Sequence, residues 1–560
     1  MLSKIYKITC ILFFLFFFYN NTCYSKNFDE KDVDNYLSAL LSLNENKSYE
    51  SLKYFNLSKE LKEYHPTYIQ NYIFSLVLSD NVDKAINEIK TVKDKRLIDF
   101  FEAHLLLLLD SIKKNQFTKS IDHIKNIKRY EEVGNYEYIL SIFLEEYVNI
   151  FNNNQIELDF EGQFGKMTLI NRTLQSCYMG HKNTENFFEN LINDNEDNYS
   201  RYLFFYANYL ISQNDNIKAK YIFENIEPIK STLLISQAKK WIDIGNYNGF
   251  RKIFSCKNPS DIISEFIFII SNLYSSEDVI NRSNFYFNLS QYLNPKFNFN
   301  LTLLVDNYFL QDDFDSLKRT LKKFNKKNEI YYWYKIKKNA QIIKYDDGEE
   351  QSFKYIKNKF NDLKKPSIKI LYEMGNLSKN FKKYDLAIKY YTQVLSKLDP
   401  TSEIYANVLY KRGSSYERLG NETKSDEDLK KSLEINPDEP HVLNYLAYSW
   451  LERNYNIDTS MNMLKKAYKQ LPNDPYIIDS IGWAYYLIGD YVEAEKLLRK
   501  ATELMPLDPI VNDHYGDILW KLGRKMQASY FWKNVLTFEE TKEEMKEKIY
   551  HKLLKGPKKI

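Results

Sequence analysis

Between Pro475 and Asp508 the apolar positions form two helical stripes. Ile478, Ile481 and Tyr485, then Tyr491, Leu498 and Leu504, recur mostly at three, four or seven residues, the signature of amphipathic helices. Pro475 suits a first helical turn, where its missing N–H costs nothing. Gly489 and Asp490 break the chain between the two helices, and Pro506 stops the second. Gly482 and Ala494 are small and fall where the helices cross; Ala501 falls where the second helix meets the next unit. The stretch predicts a helix–turn–helix packed through small residues.

This pattern recurs. Gly375, Gly413, Ala447, Gly482 and Gly516 hold equivalent positions 34 to 38 residues apart, and a period of that size predicts stacked helical pairs. Ala387 and Pro400 continue the first unit; Gly420, Ser425, Ser432 and Pro437 the second; Ala467 and Pro472 the third; Gly523 and Ala528 the last. Upstream the offsets persist more faintly, at Ala39, Ser51 and Ser58, at Ala207 and Ala219, and at Ser271, Ser283, Ser290 and Pro295. With 15 Gly and 13 Pro in 560 residues, long stretches are free of helix breakers.

The order small, aromatic, small, small, proline resembles the tetratricopeptide repeat family. Gly482-Trp483-Ala484-Tyr485-Tyr486 with Ala494, Ala501 and Pro506 carries the resemblance most closely. It implies an all-α, right-handed superhelical solenoid of helix–turn–helix repeats. The expected organisation is a signal peptide at 1–25 and degenerate helical repeats over 26–155. Degenerate repeats of the same kind follow over 156–366, then five well-formed repeats over 367–542, then a capping helix with a basic tail over 543–560. Breaks in the array are expected near 152–165 and near 346–366. Met545, Ile549 and Leu553 form the stripe by which the last helix covers the final repeat, leaving its lysines on the solvated side. The stretches 444–450, 479–486 and 512–517 are similar to exported tetratricopeptide proteins of Gram-negative bacteria of the α-proteobacterial type, some of which are adaptors that bring a protease its substrates.

Composition is globular, with 44% hydrophobic and 27% charged residues. Lys4 and Lys7 precede an apolar run from Ile8 to Tyr19. That run is short for a membrane span and of signal-peptide length, and Cys23 and Ser25 suit a cleavage after Ser25. Asn20 and Lys7 lie three residues before Cys23 and Cys10, where lipidation needs an apolar residue. Export to the periplasm is the expectation, with an uncleaved membrane anchor as the alternative and association to the outer membrane left open. Without Lys4 and Lys7 the net charge falls from +3 to about +1, unsuited to nucleic acid. Cys177 and Cys256 remain, and their separation of about two repeats predicts two separate buried thiols.

No catalytic constellation is visible. None of the seven histidines begins an H-E-x-x-H motif. Phosphate-binding G-x-x-x-x-G-K-[ST] and nucleophilic G-x-S-x-G sequences are absent, and 346–349 lacks calcium-loop spacing. No cofactor, metal or small-molecule substrate is expected.

In tetratricopeptide arrays the first helix of each pair lines the concave face. The resemblance therefore places a partner-binding groove at Asn407, Tyr410, Ser414 and Glu417, at His441, Asn444, Tyr448 and Leu451, at Tyr476, Asp479, Trp483 and Tyr486, and at Ile510, Asp513, Asp517 and Trp520. These positions hold aromatics and carboxylates but no Lys or Arg. Such a surface suits an extended segment with apolar and basic side chains and excludes the acidic tails that lysine clamps hold. The expectation is a protein-binding adaptor or scaffold; a fixed assembly factor for an outer-membrane or polysaccharide machine and, third, an enzyme with a cavity site are the alternatives.

Overall fold

The computed structural model describes residues 29–130, 135–152, 164–193, 200–539 and 541–557. The expected signal peptide, most of the expected break at 152–165, and Lys558 and Lys559 lie outside them. Among the described residues there is no strand, and the chain is a succession of α-helices with a few 3-10 turns. No helix among them is long and apolar enough to cross a membrane. Contacts divide the chain into two units, 1–342 and 343–560, with the division inside the helix Glu329–Asp347.

One backbone device repeats through both units. The turn within a helical pair contains a left-handed residue: Asn46, Asp80, Asn115, Asn214, Gly245, Asp278 and Asp312 in the first unit, and Lys382, Gly420, Asn454, Gly489 and Gly523 in the second. The next residue donates its N–H five residues back, as in Asn81 to Leu76, Asp313 to Tyr308 and Asp490 to Tyr485. This is the Schellman closure, which satisfies the last carbonyls of a helix and needs a residue that tolerates positive φ. Five residues past the left-handed position a small side chain is fully buried at Ser51, Ala85, Ser120, Ala219, Ser283, Ala387, Ala494 and Ala528. The period is therefore carried by Asn and Asp where the sequence lacks Gly, since these side chains enter the left-handed region more readily than others.

The first unit departs from an open array. The helix Pro66–Leu78 packs against Ile280–Leu293, and Phe101–Lys113 and Tyr136–Phe151 pack against Pro259–Ser276. Phe74 stacks on Phe285 with ring centres 5.0 Å apart. The Tyr308 hydroxyl donates to the Leu78 carbonyl at 3.2 Å, and Arg282 pairs with Glu102 at 2.5 Å. One core runs from Tyr36 to Phe297. Here the inward faces are apolar and aromatic, and they bury one another.

The same curling corrects the expectation for the cysteines. Cys177, at the end of Lys166–Met179, is disulfide-bonded to Cys256, with Cα atoms 5.8 Å apart. Elements two repeats apart touch in this unit, and the Lys257 ammonium donates to the Tyr178 carbonyl.

In the second unit Glu349–Asn361 precedes five pairs: Ile368–Asn380 with Tyr384–Leu395, Glu403–Arg418 with Glu422–Ile435, Pro440–Glu452 with Ile457–Gln470, Pro475–Ile488 with Tyr491–Leu504, and Pro509–Lys521 with Lys525–Val535. A last helix, Glu543–Lys555, follows. Asp474 and Asp508 cap their helices, each accepting two backbone N–H groups. The small residues sit at close approaches. A Cβ on Gly375 would lie 2.7 Å from the Tyr391 ring, on Gly482 2.9 Å from Leu498, and on Gly516 2.3 Å from Trp532. Gly413 is less tight, with Leu429 at 3.1 Å. Ala387, Ala447, Ala467, Ala494, Ala501 and Ala528 are fully buried. Pro506 follows the end of Tyr491–Leu504 and accepts from Asn512 at 3.1 Å.

Candidate functional site

First-helix side chains one repeat apart meet in rows along the second unit. The Tyr372 hydroxyl donates to Asn407 at 3.3 Å, and Lys379 donates to Ser414 at 2.5 Å. Tyr410 packs edge-on against Tyr445, whose hydroxyl donates to Glu417 at 2.9 Å. His514 meets the row from the repeat before, with Nδ1 3.0 Å from both Asp479 carboxylate oxygens. Trp483 stacks on His514 at 4.1 Å and on Tyr486 at 4.7 Å.

The predicted positions differ in access. Asn407, His441 and Tyr476 are exposed; Tyr410, Glu417, Asn444, Tyr448, Trp483, Asp513 and Trp520 are half-buried; Asp479, Tyr486 and Asp517 are buried. Trp520 is covered: Trp532 lies 5.4 Å away, and Gly556 passes so close that a Cβ there would be 2.6 Å from the indole. The row also begins with cations that the chosen positions did not include. Lys379 is pushed down to about 8 by burial and by the neighbouring Lys411 and Arg418 charges.

Two residues missed by sequence reasoning organise the acidic end. His514 was outside the groove set, yet it is buried beneath Trp483. Burial pushes its imidazole down, but the Asp479 carboxylate, by charge and hydrogen bond, and then Asp513 and Glu452 raise it to about 9. The ring is thus an imidazolium at neutral pH. The signal was present, since Asp479 and His514 are 35 residues apart, one repeat.

Lys552 is the second. Expected on the solvated side of the last helix, it turns inward and donates to Asp513 at 2.7 Å and Asp517 at 2.8 Å. Ile549 beside it is fully buried, with Met545 and Leu553 packed on the same cluster. Burial lowers the Lys552 ammonium, and Asp513 and Asp517 outweigh that and raise it. Burial and the Asp513 charge lift Asp517 to about 6, against Lys552. The last helix thus places its own basic side chain in the acidic groove. Around this point lies a cavity of about 690 Å³, walled by Glu452, Trp483, Tyr486, Asp513, Asp517 and Lys552, among others. Among the described residues no group of three or more His, Cys, Asp or Glu side chains is arranged to hold a metal.

Residues 368–396 and 406–439 match the tetratricopeptide repeat model. A TPR repeat-containing protein of Pseudomonas aeruginosa is 33% identical over 92 residues, which are 16% of this chain and 16% of that protein. The chain therefore matches about a sixth of that relative's length. Among solved structures, a thermophilic TPR protein of Thermus thermophilus is 19% identical over 34% of this chain and 100% of its own, with a TM-score of 0.29. MamA from Desulfovibrio magneticus RS-1 is 17% identical over 31% of this chain and 97% of its own, with a TM-score of 0.26. Over 368–439 the chain therefore carries tetratricopeptide repeats. Such repeats are generally non-enzymatic scaffolds for protein–protein interaction.

Proposed function

We propose that this chain is an exported adaptor or assembly scaffold that holds extended protein segments along the first helices of 368–521. The observation that carries the reading is the reception of Lys552. The chain's own basic side chain lies between Asp513 and Asp517, beside Trp483 and Tyr486. The groove thus takes a cation flanked by aromatic surface, the composition from which interface anchors are drawn. Export is supported by the charged and apolar segment at Lys4 to Ser25 and by the Cys177–Cys256 disulfide, a bond that persists in oxidising compartments. In the periplasm such a groove serves to bring substrates to an envelope protease or an assembly machine.

The test is a crosslinked pull-down from envelope extract with two baits, the mature protein and a Tyr410→Ala, Tyr448→Ala, Trp483→Ala variant. These side chains are half-buried, whereas Asp479 and Asp517 are too deep for charge reversal to leave the fold intact. Partners lost from the variant alone support the groove. Exchange of those partners against added competitor marks an adaptor, and fixed stoichiometry marks a permanent assembly factor. An unchanged partner set on a variant of unchanged helicity overturns the reading.

A further inference from the structure

We infer that the cavity beside Lys552 is a binding site for a second alkylammonium group, the side-chain amine of a lysine in the bound segment. The inference rests on the groove reading above and adds the chemistry that this point selects.

Charge comes first. Glu452, Asp513 and Asp517 face the cavity, and Lys552 is the cation among them; His514 is matched by Asp479 behind the wall. The facing side of the last helix contributes Glu544 and Glu547 against Lys548 and His551, so it does not restore the balance. Hydrogen bonding comes second and is independent of charge. Asp517 is 4% exposed and Tyr486 2% exposed, both wall the cavity, and Asp517 Oδ1 and the Tyr486 hydroxyl have no hydrogen-bond partner in the protein. A buried acceptor without a donor is costly, and an ammonium supplies three donors.

Shape decides the kind of cation. The carboxylates are not arranged to hold a metal ion. The Trp483 and Tyr486 rings, stacked at 4.7 Å, give an apolar wall for methylene groups, which an amine on an alkyl stem covers while its head reaches the acids. Lys552 already shows this mode of entry from one side.

The test is saturation-transfer NMR on the full chain with three probes: Nα-acetyl-lysine amide, its uncharged isostere Nα-acetyl-norleucine amide, and putrescine. The lysine probe is expected to receive saturation at its ε-methylene, and the norleucine probe to receive none. Asp517→Asn and Tyr486→Phe are each expected to weaken lysine-probe binding about tenfold, with unchanged circular dichroism. Equal binding of norleucine, no binding of the lysine probe, or unchanged binding in both variants overturns the inference. Binding of putrescine without the lysine probe also overturns it, by assigning the cavity to a free diamine. The pull-down stands apart from these probes. Lost partners there with a silent lysine probe would keep the groove and remove only the amine site.

Discussion

Removing the His514 imidazolium perturbs the acidic end at its centre, and the size of the effect follows from the site. In the unfolded chain the ring titrates near 6.5, and in the native groove it holds its proton to about 9. Between those values the native state is protonated and the unfolded state is not, so unfolding releases a proton and stability falls as pH rises. The contribution is fully present below about 6.5 and lost through about 9. That interval, at about 1.4 kcal/mol per pH unit, comes to about 3 kcal/mol. Lys379 works the opposite way above about 8, because burial lowers it and the unfolded chain then binds the proton more tightly. The quantity to read is therefore the difference between wild type and His514→Gln, from which Lys379 cancels. Urea unfolding followed by tryptophan fluorescence at steps from pH 6 to 9.5 measures it, four of the six tryptophans being in the second unit. The difference should shrink by about 3 kcal/mol across the range. A difference that stays flat, or grows with pH, would refute the assignment of a charged His514 held by Asp479.

Gly516→Ala gains about 1 kcal/mol of helix propensity, but its Cβ would lie 2.3 Å from the fully buried Trp532. Overpacking should dominate, for a net loss of about 2 kcal/mol, read as a lower urea midpoint with unchanged slope. Cys256→Ser opens a loop of 79 residues within the first unit, and the chain-entropy relation puts its loss at about 4.5 kcal/mol. Hydrogen exchange should quicken there and leave 343–557 unchanged. Asp474→Ala removes a cap that accepts from Tyr476 and Ile477 and should cost about 1 kcal/mol, with faster exchange confined to the start of Pro475–Ile488.

The pair register of the second unit was legible because its small residues are the cause of its geometry. Gly482 and Gly516 are glycine where no Cβ fits, so residue type and spacing state the packing directly. The first unit was fainter for a local reason: Asn46, Asp80, Asn115, Asn214, Asp278 and Asp312 occupy the left-handed turn position that Gly420, Gly489 and Gly523 hold later. Its closure was not legible at all. Contacts such as Tyr308 with Leu78, or Lys113 with the Tyr292 carbonyl, join residues roughly 180 to 230 positions apart and leave no periodic trace. The disulfide follows from the same closure. Asp479, Asp513 and Asp517 were legible as carboxylates on first helices, but their partners were not. His514 and Lys552 sit in stretches whose alternation reads as core and solvent respectively, and only the repeat-length spacing from Asp479 to His514 and from Asp517 to Lys552 connects them.

The most direct measurement of the groove as the partner surface is site-specific photo-crosslinking in cells of the source organism. p-Benzoylphenylalanine would replace His441 or Tyr476, exposed on first helices, and in parallel Val492 or Met526, exposed on second helices. Adducts with other proteins at His441 and Tyr476, and none at Val492 and Met526, are the predicted result. Adducts confined to the second-helix positions would contradict it and move the partner surface to the opposite face of the repeats.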